Sequence, residues 1–200
     1  MVRQTQDGLR WGFKTDAEAI AREIREELGL TMIARLDPLQ LAAHLDIEVV
    51  ALSSRTDQPA LMQHFRGKGK KRFSAVTIFL TATRRLILYN DSHSDGRQSA
   101  DIVHECAHAL LLHPAREAFT SGGCRDVDNE CEREAGWLGG TILVPNEAAL
   151  YAVRRGLSLE AAAEEYGVSV PLMRWRINKS GAKTIADRMK NKYRRVRQHA

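Results

Sequence analysis

Long apolar runs are missing from this chain of 200 residues. None approaches the roughly 18 apolar residues that a bilayer-spanning helix needs, which argues against a membrane protein. The opening stretch, MVRQTQDGLRWGFKTD, is polar and lacks the apolar core of a secretory signal. Cysteine is scarce as well. Cys106, Cys124 and Cys131 are few and odd in number, which argues against a disulfide framework. No internal repeat is visible, and no low-complexity tract apart from a basic C-terminal tail. These absences point to a cytoplasmic protein of one domain, or of one domain with a small appendage.

What is present suits a globular protein with a sizeable core: 44% hydrophobic and 28% charged residues. The net charge of +5 is unevenly distributed. Ten of the chain's 30 basic residues (Arg174, Arg176, Lys179, Lys183, Arg188, Lys190, Lys192, Arg194, Arg195, Arg197) fall in residues 171–200, against Asp187 alone. That leaves 20 basic and 24 acidic residues in the first 170. A basic tail of this kind can bind DNA or an acidic partner, or it can be a solvated helix.

Along the chain, Thr15-Asp16-Ala17-Glu18 has capping-box spacing and opens a helix with Ala17, Ile20, Ala21, Ile24 and Leu28 on one face, ending at Gly29. Asp37-Pro38 starts a short helix through Leu45. IEVVAL (47–52) reads as a strand, while SAVTIFL (74–80) and RLILYN (85–90) read as a hairpin joined by TATR. A basic glycine-containing loop, RGKGKKR (66–72), precedes that hairpin, and the loop TSGGCRDVDN precedes a helix from about Glu130 to Leu143. Pro145-Asn146 breaks that helix, and another follows over 147–155. Residues 158–178 form two helices around Gly167-Val168-Ser169, with Ala163 and Gly167 at the spacing of a helix-turn-helix. The order of elements predicts an α+β fold: a domain over 1–156 with a small, mostly antiparallel three-stranded sheet, then a helical extension over 157–200.

The chemistry concentrates in HECAHALLLHP, residues 104–114. Residues four apart stack on one helix face, so His104 and His108 can face one ion. Glu105 lies about 100° round, placed to reach a water on that ion without displacing it. Cys106 turns the other way, with Val103, Leu110 and Leu111, into the core. His113, nine residues after His104, falls on the far side of a continued helix and is not a ligand. A catalytic zinc takes three protein ligands, so a third is required. Downstream, NECEREAGWLGG offers Glu130, Glu132 and Glu134. Glu132 shares a face with Ala135, Gly136 and Gly139, whose small size lets the two helices approach, whereas Glu130 and Glu134 fall away towards solvent. The predicted metal ligands are therefore His104, His108 and Glu132, for Zn2+ or Mn2+, with Glu105 moving the proton. Tyr89 and His93 are weaker candidates for the oxyanion donor. Trp137 and Trp175 sit at core spacing.

ADIVHECAHALLLH followed by ECEREAGWLGGTILVP resembles the ImmA/IrrE metallo-endopeptidase family, which pairs an H-E-x-x-H helix with a later E-x-x-A segment and an L-x-P element. Glu132 to Ala135 matches the second motif and Leu143-Val144-Pro145 the third. The resemblance implies a zincin-like fold, His104, His108 and Glu132 as zinc ligands, and Glu105 as the catalytic residue. Gly136 departs from the polar residue common in the family, and Val144 from its usual Met. The resemblance also implies cleavage of a helix-turn-helix repressor or antitoxin, relieving repression under stress. A second reading is a DNA-binding regulator with a structural or vestigial zinc site, drawn from the GVS turn and the basic tail. Cys124 reads as a loop cysteine, with a redox gate at the zinc as the sharper alternative.

Overall fold

The computed structural model describes residues 5–54, 63, 73–81, 84–114 and 129–198, with side chains as far as residue 192. Cys124, the whole basic loop 66–72 and the last arginines of the tail lie outside the described residues or side chains. The fold is α+β. Helix α1 (Phe13–Glu27) is followed by α2 (Pro38–His44), strand β1 (Ile47–Ala51), the hairpin strands β2 (Ala75–Phe79) and β3 (Arg85–Tyr89), and α3 (Asp95–Leu110). Then come α4 (Asn129–Leu143), α5 (Asn146–Arg154), α6 (Leu159–Tyr166), α7 (Val170–Lys179) and α8 (Ala182–Gln198).

Helix α1 begins two residues before the proposed capping box. Its N-cap is Gly12, with φ 87, and no side chain caps it. Phe13, fully buried, joins Ala17, Ala21 and Ile24 on the inner face, so core burial places the start where local capping would not. α2 starts as its sequence suggests: Asp37 accepts from the Leu39 amide at 2.9 Å, with Pro38 in the first turn.

The sheet order is β1-β3-β2. β2 and β3 pair antiparallel, Thr77 opposite Ile87, as a hairpin should. β1 then adds parallel to β3, which makes the sheet mixed and leaves fully buried Ile87 at its centre.

Helices α3 and α4 pack more extensively on each other than any other pair. Glycine makes this possible: a Cβ on Gly139 would already touch the His104 backbone at 3.4 Å. At the other end of α3, a Cβ on Gly96 would lie 2.5 Å from the backbone carbon of Val168. Neither main chain can yield there without shifting a helix. Gly96→Ala should therefore destabilise the fold by about 1–3 kcal/mol, read as a lowered midpoint in urea denaturation.

The α6–α7 pair turns at Gly167 (φ 62), and Ser169 caps α7 by accepting from the Leu172 amide. Arg176 fixes α7 to the body. Completely buried, it donates to the Val144 carbonyl at 2.7 Å, to Glu18 at 2.9 Å and to Asn146 at 3.1 Å. Trp175 stacks edge-on against Trp137, ring centroids 5.1 Å apart. Two members of the basic tail are thus already engaged, since Lys179 pairs with Asp7. Among the described residues, no helix is long and apolar enough to cross a membrane.

Candidate metal centre

On α3, His104 and His108 face the same way, their Nε2 atoms 3.1 Å apart. Glu132, in the first turn of α4, brings Oε2 to 3.1 Å from His104 Nε2 and Oε1 to 3.5 Å from His108 Nε2. One donor atom from each residue falls in a cluster no more than 4.8 Å across. Three ligands about 2.0–2.2 Å from a tetrahedral ion stand roughly 3.3–3.6 Å from one another, so this donor set fits zinc. Hydrogen bonds from His104 and then His108 hold the Glu132 carboxyl well below the usual carboxylate range.

Glu105 is almost buried, 9% exposed, and does not join that cluster. Its Oε2 accepts from Thr77 Oγ1 at 2.6 Å. Thr77 comes from the middle of β2, a residue that sequence reasoning missed. Its only signal was a hydroxyl in an otherwise apolar strand. Glu105 and His104 line one cleft of about 330 Å3, together with Ser74 and Ala75 of the sheet and Gly136 and Gly139 of α4. The cleft is the side from which a substrate can reach both residues. Cys106 points away into the core, where burial pushes its thiol up to about 12 and leaves it inert.

The family model described as the IrrE N-terminal-like domain, peptidase M78, matches residues 42–178, well over half of the chain. The chain belongs to this family. A search of curated proteins returned no match. Peptidase M78 proteins are generally metal-dependent, and the matched span contains His104, His108 and Glu132 as well as Glu105. A metallopeptidase-type function follows, and the resemblance read from the motifs stands.

Two expectations need correction within this peptidase M78 domain. Glu134 does not fall into solvent. It is 8% exposed, with Oε1 3.4 Å from Arg10 Nε, and burial pushes its carboxyl up against the pull of Arg10. The N-terminal segment, which carries Arg10, covers the part of α4 that helical geometry alone assigned to water. His113 is likewise not on the far side of the motif helix. The helix stops at Leu110, and the His113 ring lies against His108, centroids 4.9 Å apart. It stays outside the cluster of three donors.

The oxyanion candidates are placed elsewhere. His93 is buried with its Nδ1 3.2 Å from Asp101, and Tyr89 ends β3; neither lines the cleft over Glu105. Asp101 does line it, and burial pushes its carboxyl up, opposed by the His93 hydrogen bond.

Proposed function

We propose that this peptidase M78 member is a zinc-dependent endopeptidase acting on a helix-turn-helix repressor or antitoxin, so that cleavage relieves repression under stress. The observation that carries the reading is the convergence of His104, His108 and Glu132 in one donor cluster, with His104 and Glu105 lining one cleft. A zinc ion held there supplies Lewis-acid polarisation of the scissile carbonyl and lowers the pKa of the attacking water. Glu105 handles the proton. Thr77 occupies Oε2, so Oε1 accepts the proton from the water and later returns it to the leaving amide nitrogen. Beside it, β2 pairs with β3 alone among the described residues, and its other edge can receive an extended substrate segment as an added strand.

Purified protein should contain about one zinc per chain and cut a helix-turn-helix regulator encoded next to it at a discrete bond. A chelator should stop the cut and added zinc restore it, as followed by mass spectrometry of the fragments. Zinc-loaded protein that cuts other proteins but leaves the regulator intact would refute the substrate assignment. Manganese restoring the cut better than zinc would change the metal.

The second reading, a DNA-binding regulator, rests on Lys183, Arg188, Lys190 and Lys192, which are exposed along α8. Salt-sensitive, sequence-selective DNA binding that disappears when these four are changed to Glu would favour it, if no regulator is cut.

A further inference from the structure

The end of α3 is built in an uncommon way. Leu111 closes the helix, and Leu112 then takes a left-handed conformation with φ 52. The Leu112 amide donates to the Ala109 carbonyl at 3.1 Å, and the His113 amide to the His108 carbonyl at 3.0 Å. These two bonds define a Schellman turn, in which the second residue past the cap folds back over the third residue from the helix end. Glycine usually occupies the left-handed position. Here it is leucine, 80% exposed, which gains no burial to offset a strain of about 1–2 kcal/mol. Strain that is kept without a packing reason points to a use for what the turn delivers.

What it delivers is the ring of His113. Its Nδ1 lies 2.9 Å from Nδ1 of His108, the ring nitrogen that faces away from the ligand cluster. The other nitrogen of His108, Nε2, is the one beside His104 and Glu132. With Nε2 given to a metal, the proton of His108 must sit on Nδ1, where it donates to His113 Nδ1. The proton of His113 then sits on Nε2, which faces Glu134 Oε2 at 3.9 Å. Glu134 is held in turn by Arg10, 3.4 Å away, and Arg10 by Asp16, 2.6 Å away. The His113 side chain is 10% exposed, so water competes little for these positions.

We propose that His113 is a positioning residue of the metal centre: its Nδ1 fixes the tautomer and ring plane of the ligand His108. The proposal rests on the metal reading above, and it gives the strained leucine a role. It requires only an acceptor at the place of His113 Nδ1. Asparagine can put its Oδ1 there; leucine cannot.

The test is zinc affinity of the full chain, measured by competition with a chromogenic chelator, for the parent protein, His113→Leu and His113→Asn. We expect His113→Leu to bind zinc about 10–100-fold more weakly, still at one ion per chain, and His113→Asn to recover most of the loss. Equal weakening in both variants, or none in either, would overturn the proposal. Parent protein that takes up no zinc would overturn this proposal together with the metal reading, whereas normal uptake with no effect of His113→Leu would overturn this proposal alone. A direct check needs no variant. Zinc-loaded protein labelled with nitrogen-15 should show a two-bond nitrogen–nitrogen coupling between the His108 and His113 rings, and absence of a slowly exchanging Nδ1 proton on His108 would count against the assignment.

Discussion

Glu105→Gln is expected to lower the rate of peptide cleavage by roughly 10²–10⁴-fold while leaving the zinc content of the protein unchanged. Both halves of the result follow from position. Glu105 stands outside the cluster of His104, His108 and Glu132, so its charge is not needed to hold the ion. The role proposed for it is to take a proton, which an amide cannot do at neutral pH. Gln keeps the shape, and its carbonyl oxygen can still accept from Thr77, so the almost buried site is not left with an unpaired hydroxyl. The measurement is single-turnover cleavage of the regulator beside elemental analysis of the same preparation. Unchanged cleavage in the variant would remove Glu105 from the chemistry.

The second large effect concerns folding. Arg176→Leu should destabilise the protein by about 3–5 kcal/mol, the range found when one partner of a buried ionic contact is removed. Arg176 is fully buried and joins three elements through the Val144 carbonyl, Glu18 and Asn146. Leucine would fill much of the volume but leave that carbonyl and carboxylate without their donor. Arg176→Lys should recover only part of the loss, because a lysine lacks the planar fork that reaches several acceptors at once. Urea denaturation reads both. A stable Arg176→Leu variant with weakened DNA binding would instead return this residue to the nucleic-acid reading.

Much of the site was legible because its spacing is helical. Two histidines four apart must share a face of α3, and three small residues around Glu132 announced a close helix partner, which Gly139 supplies. The α+β order was legible from the turn residues and β-rich runs. What escaped depends on distant or strained structure. Thr77 reaches Glu105 only through the packing of β2 on α3, which no local pattern encodes. His113 escaped because a leucine at the left-handed position hides a helix end that glycine would have advertised. Glu134 and Arg176 are charged residues in buried places, and Arg25 is a third, fully buried and donating to the Ile142 carbonyl at 2.7 Å. A polar residue on a helix reads as solvent-facing until its partner elsewhere in the chain is known.

On the proposed metal reading, the close contact of α3 and α4 at Gly139 also couples metal supply to folding. Two of the candidate ligands come from one helix and the third from the other, so an ion bound by all three would act as a cross-link between them. Such a link is formed only in the folded chain, and mass action then raises stability with zinc concentration, by about 2.7 kcal/mol at one hundred times the dissociation constant. If the proposed zinc is the ion, the melting temperature of this protein becomes a gauge of free zinc, and a cell short of the metal would hold not just idle enzyme but less of it.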